Sequence, residues 1–176
     1  MAGIRYVKTE DAARLAAIYA PVVRETAVSF EMEPPSPEEM ARRIENVSRT
    51  YPWIVFEDGE GSILGYAYAG VHRQRPAYHW SVETTVYLDA DHRGQGLGKT
   101  LYTALLDLAR DWGYANAYAG VALPNPASEA LHASVGFSRI GVFPRVGFKF
   151  DQWHDVSWWY RPLTTGEAPR PTTQPR

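Results

Sequence analysis

The feature of this sequence that most limits its fold is a strand, a glycine-rich loop and a helix in direct succession. Residues 80–88 are rich in β-branched and aromatic side chains, as is typical of a strand. Apolar side chains recur every three or four positions over 97–112, which predicts an amphipathic helix. Gly94, Gly96 and Gly98 lie at the junction. Because such a loop exposes the backbone amides of a helix start, it predicts a site for a phosphate-like anion.

The rest of the chain alternates between strand and helix patterns, which predicts one domain over 1–163. Strand-like segments are 4–7, 53–56, 63–71, 115–121, 140–143 and 153–160. Helical patterns begin near residue 9, at the capping sequence 36–39, and over 125–135. The segment 164–176 is rich in proline and has no apolar period, which predicts a disordered tail.

Composition excludes several classes of function. A net charge of -2 gives no general attraction to nucleic acid or to anionic membranes. The chain has no stretch of membrane-spanning length and no signal peptide, so we expect a cytoplasmic protein. The absence of cysteine excludes thiolate catalysis. The five histidines have no paired spacing, so we expect no metal site.

Two common phosphate-binding loops fail on their spacing. A nucleoside triphosphate loop ending in Gly98-Lys99-Thr100 requires a glycine at position 93, where Arg93 stands. A dinucleotide loop starting at Gly94 requires a glycine at position 99. The remaining alternative is a tight strand-to-helix turn without a ligand.

The loop matches the signature Arg/Gln-x-x-Gly-x-Gly/Ala through Arg93, Gly96 and Gly98, and so resembles the GCN5-related N-acetyltransferases (GNAT). This resemblance implies an α/β fold with a twisted, mostly antiparallel mixed sheet, flanked by helices and splayed centrally to hold acetyl-CoA. The loop would bind the pyrophosphate, and the preceding strand the pantetheine. The implied cofactor-binding residues are Val86, Tyr87, Leu88, Arg93, Gly94, Gln95, Gly96, Leu97, Gly98, Lys99, Thr100, Asn125 and Ser128.

Nearly the whole chain up to Pro162 resembles the phosphinothricin and methionine sulfoximine acetyltransferase branch. The motifs that carry this resemblance include 28–31, 66–70, 82–87, 123–125 and 153–156. The branch implies direct acetylation of the amino group of a small amino-acid-like substrate, such as phosphinothricin, methionine sulfoximine or methionine sulfone, by a homodimer. Two alternatives stay open: acetylation of a protein or peptide N-terminus, and non-catalytic binding of an acyl-CoA.

Attack by an amine on a thioester requires a base, because the amine is mostly protonated at neutral pH. Glu83 is the candidate: it shares a strand face with Tyr87, and the family carboxylate falls at its position; a surface glutamate is the alternative. His132, seven residues after Asn125, matches the branch and replaces the tyrosine of many relatives. It is interpreted as an acid, a proton shuttle or a core histidine. A backbone N–H of 86–88 would stabilise the oxyanion.

An amino-acid-like substrate also carries a carboxylate, which a guanidinium group binds well. Together with the resemblance, this argument gives the predicted substrate contacts Phe30, Arg73, Arg75, Tyr78, Phe148 and Lys149. For any single one of them, a solvated loop charge or a core aromatic residue is the alternative.

Overall fold

The computed structural model of the protein describes residues 2–166 and Thr172. Within them, seven strands form one sheet: β1 (Gly3–Tyr6), β2 (Trp53–Glu57), β3 (Ile63–Val71), β4 (Ser81–Leu88), β5 (Asn116–Ala122), β6 (Ser138–Lys149) and β7 (Gln152–Pro162). The helices are α1 (Ala12–Glu25), α2 (Pro37–Ser48), α3 (Leu97–Asp111) and α4 (Pro126–Ser134). The predicted tail, 164–176, lies outside the described residues except for 164–166 and Thr172.

The sheet is mixed but mostly antiparallel, as predicted. Its strand order is β1-β2-β3-β4-β5-β7-β6. Neighbouring strands pair antiparallel except β4 and β5, which are parallel and lie at the centre. Parallel neighbours need a crossover connection, and α3 provides it.

Each face of the sheet carries its own hydrophobic core. Side chains alternate between faces along a strand, so Ile54 packs with α3 while Val55 packs with α1 and α2. On the α3 face, Leu101 and Leu105 of the helix are fully buried. On the other face, Leu15 of α1 is fully buried as well. The apolar period predicted for α3 therefore points into a core, as expected.

Two helix starts follow from short polar side chains. The Ser36 hydroxyl accepts a hydrogen bond from the Glu39 amide at 3.2 Å, and Pro37 opens α2. The Asn125 side chain accepts from the Ser128 amide at 3.1 Å and caps α4. Both caps satisfy amides that have no partner inside the helix. The predicted starts of these helices are confirmed.

The predicted strand 140–143 was too short, because β6 continues to Lys149. Pro144 lies inside β6, which is an edge strand and has only one pairing neighbour. Its register with β7 shifts between Phe143 and Gly147, and Arg145 there has a positive φ of 51°. This bulge accommodates the proline without ending the strand.

Candidate active site

The sheet opens between its two central strands. β4 and β5 pair over Ser81–Glu83 and Asn116–Tyr118, and the described residues show no pairing between them beyond these positions. On their outer edges both strands stay fully paired, β4 with β3 and β5 with β7. The facing edges of 84–88 and 119–122 therefore bound a gap, called the fork below. The predicted splay of the central strands is confirmed.

The Thr84 hydroxyl lies where the fork begins. It donates to the Tyr118 carbonyl at 3.2 Å and accepts from the Tyr102 hydroxyl at 2.7 Å. Burial raises the pKa of Tyr102, so its hydroxyl stays protonated and available as a donor. These hydrogen bonds join β4, β5 and α3, and they fix the point at which the strands separate.

The glycine loop leads from the end of β4 to the start of α3. Gly94 and Gly96 have φ values of 74° and 82°, a region that other residues seldom adopt. A methyl group on either would meet no atom within 4 Å, so open space surrounds them. No side chain caps α3. The amides of its first turn have no partner inside the helix, so the loop offers them to an anion.

Gly98 is closely packed, unlike Gly94 and Gly96. A Cβ atom on it would lie 3.4 Å from both Leu131 of α4 and Leu88 of β4. Its small size therefore lets the start of α3 pack closely against both elements. The Arg93 guanidinium donates to the Leu88 carbonyl at 3.5 Å, a long bond at the outer wall of the same junction.

The side chains at the end of β4 pack into the two hydrophobic cores. Val86 and Leu88 pack against the α3 core. Tyr87 contacts the rings of Tyr19 and Tyr66, with centroids 4.8 and 5.5 Å away. This part of β4 consequently presents mainly its backbone to the fork.

Glu83 lies at the closed end of the fork, where it pairs with Tyr118. Its side chain is 35% exposed, so the carboxylate is accessible. Oε1 lies 3.0 Å from Nδ1 of His72 and 3.6 Å from the guanidinium of Arg73. The carboxylate is thus accessible, and it lies beside an imidazole and a guanidinium group.

An apolar cavity of about 270 Å³ opens on the same face of the sheet. Gly120, in its wall, follows Tyr118 by two residues, so the cavity begins about 7 Å along β5 from the partner of Glu83. The cavity-lining residues are Val28, Phe30, Gly120, Ala122, Phe143, Val146, Val156 and Trp158. Such a cavity suits an uncharged side chain of a small ligand.

The outer wall of the cavity is the loop between α1 and α2, residues 26–36, called the α1–α2 loop below. Phe30 reaches from it to β6, where a Cβ on Gly147 would overlap its ring at 2.3 Å. The Lys149 ammonium donates to the carbonyls of Val23, Thr26 and Ser29 at 2.7–3.0 Å. Lys149 and Gly147 thereby attach this loop to β6.

His132 is buried in α4, with 5% of its surface exposed, and packs on the α3 face of the sheet. Its Nδ1 donates to the Ser128 carbonyl at 2.7 Å, and its ring meets Tyr102 edge-on at 5.1 Å. Burial lowers the pKa of His132 below its ordinary value of 6.5, so the imidazole is neutral at pH 7. Nε2 is then an acceptor. Glu83 and His132 flank the fork from opposite faces.

The described part of the chain shows neither a metal-binding cluster nor a membrane-spanning helix. Residues 2–166 and Thr172 contain no cluster of three His, Asp or Glu side chains that could hold a metal ion. None of the helices formed by these residues has the length and apolar content needed to cross a bilayer.

Comparison with known proteins assigns the chain to a family. Residues 4–158 match the sequence profile of the acetyltransferase (GNAT) domain. The chain belongs to the GNAT acetyltransferase family. This acetyltransferase is 42% identical over 167 residues to the phosphinothricin N-acetyltransferase of Streptomyces coelicolor, covering 88% of the chain and 92% of the relative. It is 38% identical over 119 residues to the L-methionine sulfoximine/L-methionine sulfone acetyltransferase of Salmonella typhimurium, covering 68% and 69%.

A solved structure agrees with the fold. The GNAT phosphinothricin acetyltransferase of Sinorhizobium meliloti, in complex with acetyl-CoA, superposes with a TM-score of 0.91 at 35% identity. The match covers 97% of this acetyltransferase and 93% of that chain. That complex contains the cofactor to which the sequence of the loop pointed.

The predicted substrate contacts of the acetyltransferase do not all come together. Arg73 lies near Glu83, with its guanidinium 6.0 Å from the ring centre of Trp158 in the cavity wall. Tyr78 lies near His72, with ring centroids 5.9 Å apart. Arg75 is exposed to solvent directly before the 76–78 turn.

Two predicted substrate contacts, Phe148 and Lys149, have partners within the protein. Phe148 alternates with Gly147 along β6, so it lies on the face away from Phe30 and packs on Trp153 at 5.2 Å. Lys149 uses three donors on backbone carbonyls, which leaves none for a substrate. Neither side chain reaches the cavity of its own chain.

Sequence reasoning missed His72, Tyr118 and Trp158. Tyr118 pairs with Glu83, and Trp158 pairs with Gly120, so register brings these residues to one face. The alternation of side chains along β5 and β7 predicts which residues of each strand share a face, but not which residues pair across the strands. His72 lies in the loop after β3. Side chains in a loop do not alternate between two faces, so the sequence does not indicate where the His72 side chain points.

Proposed function

We propose that this protein is an acetyl-CoA-dependent N-acetyltransferase that acetylates the amino group of a small amino-acid-like substrate by direct attack in a ternary complex. The class of substrate is suggested by the relatives that act on phosphinothricin and on methionine sulfoximine or methionine sulfone. The fork and the glycine loop supply the cofactor side of the site, and the apolar cavity supplies the substrate side.

The single observation that carries the proposal is the position of Glu83. It lies at the closed end of the fork, on the face that holds the cavity. An amine in the cavity mouth and a thioester in the fork would therefore meet beside this carboxylate. Holding both reactants together removes much of the entropic barrier to their reaction.

The proton of the amine passes to Glu83, directly or through one water molecule. The amine nitrogen then attacks the thioester carbonyl, and negative charge develops on the oxygen. Backbone N–H groups on the unpaired edge of 84–88 are the candidate donors to that oxygen. When the intermediate collapses, the C–S bond breaks and CoA leaves as a thiolate.

His132 acts in this scheme as a proton relay. A neutral imidazole with its Nδ1–H bonded to Ser128 has only Nε2 free to accept a proton. Once the C–N bond has formed, Nε2 accepts the second proton that the attacking nitrogen must lose and passes it to the CoA thiolate, so both protons that the ammonium group gives up are accounted for. His132 lies on the face of the fork opposite to Glu83, so the two groups approach the reacting atoms from different sides.

In this proposal Arg73 binds the carboxylate of the substrate. Its guanidinium is half exposed and lies between Glu83 and the Trp158 ring. A carboxylate bound there would direct the amino group toward Glu83 and the side chain into the cavity. Arg75 and Tyr78 extend the same rim at its solvent side.

The test is Glu83→Gln, which keeps the size of the side chain and removes its basicity. We expect turnover to fall by at least about 100-fold, because a general base contributes about that factor or more. Acetyl-CoA binding, measured by calorimetry, should persist. Glu60→Gln in the exposed β2–β3 turn is the matched control and should retain full activity. Unchanged turnover in Glu83→Gln would exclude Glu83 as the base.

The substrate class is tested with a panel of phosphinothricin, methionine sulfoximine, methionine sulfone and a peptide with a free N-terminus, following release of CoA thiol. The cavity is walled by Phe30 and the α1–α2 loop, so we expect the small amines to react faster than the peptide. A preference for the peptide would support N-terminal acetylation instead. Acetyl-CoA binding without any thiol release would support a non-catalytic module.

We also propose that the protein forms a homodimer through the edge of β6. Large apolar side chains are exposed along this strand and its hairpin: Ile140, Val142, Phe143, Val146, Phe148, Phe150 and Trp153. An exposed apolar edge strand is prone to association, and a specific partner would cover it. Phe148, which does not reach its own cavity, would be part of this interface.

A further inference from the structure

His72 is the group nearest to Glu83 that neither the sequence motifs nor the proposed reaction uses. It follows β3 directly, and β3 pairs with β4 such that Gly70 lies opposite Glu83. His72 lies two residues beyond Gly70, just past the end of β3. Its Nδ1 lies 3.0 Å from Oε1 of the carboxylate.

Aromatic residues from other elements hold the His72 ring in place. It stacks on Tyr118 of β5, with centroids 4.5 Å apart and planes 13° from parallel. Tyr78 and Trp158 meet it edge-on, at 5.9 and 6.3 Å. The side chain is only 13% exposed. A ring held by three neighbours has one preferred direction, and that direction aims Nδ1 at Glu83.

The partner fixes which nitrogen carries the proton. An ionised carboxylate only accepts hydrogen bonds, so Nδ1 donates its hydrogen to Oε1. Arg73 approaches the same oxygen at 3.6 Å, which is beyond hydrogen-bond distance. His72 is therefore the donor that fixes the orientation of the carboxylate.

A glutamate has several rotatable bonds, and a partly exposed one populates several rotamers when it has no partner. We propose that His72 is a positioning residue, which holds the Glu83 carboxylate in the orientation that accepts the amine proton. The proposal rests on the proposed role of Glu83 as the base. In this proposal His72 acts through Glu83.

Two substitutions separate the hydrogen bond from the packing. His72→Phe keeps an aromatic ring on Tyr118 and removes the donor. His72→Asn loses most of the ring but places an amide N–H close to the position of Nδ1. We expect His72→Phe to lower kcat about tenfold or more, since small misplacements of reacting groups cost factors of this order. His72→Asn should retain kcat within about threefold of the wild type.

KM for acetyl-CoA and the thermal midpoint should stay near wild-type values in His72→Phe. A purely structural histidine would give the reverse pattern, in which the phenylalanine variant is well tolerated and the asparagine variant is unstable. That reverse pattern, or wild-type kcat in His72→Phe, would overturn the proposal.

A double variant shows whether His72 acts through Glu83. In a Glu83→Gln background, His72→Phe should cause no further loss of kcat beyond about twofold, because the carboxylate that it orients is gone. A further full loss in this background would mean that His72 acts independently, and would overturn the proposal. Glu83→Gln alone tests the base, so a failure of the proposed function is distinguished from a failure of this inference.

Discussion

Lys149 is a buried cation whose hydrogen-bond partners are backbone carbonyls. Only 3% of its surface is exposed. Burial lowers the pKa of Lys149, and the charge of Glu31 opposes this shift without forming an ion pair with it among the described contacts. Two of the three carbonyls end α1 and begin the α1–α2 loop, at Val23 and Thr26. A cation there also suits the negative end of a helix.

We expect Lys149→Met to lower the free energy of unfolding by about 2 kcal/mol, because three buried carbonyls lose their donor. The α1–α2 loop, with Phe30, should loosen, so KM for the amine should rise more than KM for acetyl-CoA. Urea unfolding and steady-state kinetics measure the two effects. Lys8→Met, at an exposed lysine, is the control and should change neither. Normal stability in Lys149→Met would show that the loop is held by other contacts.

The sequence predicts the positions of some site residues but not of others. Glu83 was predicted from a strand pattern and a motif, both of which are local. Lys149 has partners that precede it by 120–126 residues, and no local pattern encodes such a pairing. The same holds for His72, which meets Glu83 only because β3 and β4 pair in one register.

At the scale of elements, the glycine loop and α3 were predicted most completely. The strand, the loop and the helix start are local features, and each has its own signal in turn chemistry or apolar period. The predicted strand 140–143 covered only part of β6, which contains a proline that a strand tolerates only at a sheet edge. Sheet order is a tertiary property, so the sequence pattern had no means of indicating that compatibility.

The loop prediction is tested with glycines matched in conformation. Gly96 and Gly61 have φ values of 82° and 90°, and both face open space. Alanine at either should cost about 1–2 kcal/mol of stability because of backbone strain. Only Gly96→Ala should also raise KM for acetyl-CoA, by about tenfold, since it displaces amides at the start of α3. Equal KM values in both variants would show that the loop does not contact the cofactor.

At the scale of the whole molecule, the exposed apolar edge of β6 predicts self-association. Ile140 and Val142 are 56% and 37% exposed on this edge. We expect light scattering to give a mass twice the 19.8 kDa of one chain for the wild type. The double substitution Ile140→Lys and Val142→Lys should give the mass of one chain, because charge on an edge strand opposes pairing. Tyr6→Lys, on the opposite sheet edge, should leave the dimer intact. A wild-type protein of 19.8 kDa at micromolar concentration would contradict the dimer.

The sequence by itself determined the family and the central strand–loop–helix unit, and it predicted the cofactor loop and the base. These follow from the spacing of residues that lie close together in the chain, and from motifs shared with the acetyltransferases. Tertiary structure alone decided where β4 and β5 separate, which side chains wall the cavity, and that Glu83 meets His72 while Lys149 supports a loop. Each of these depends on strand register and sheet order, which join residues that lie far apart in the chain.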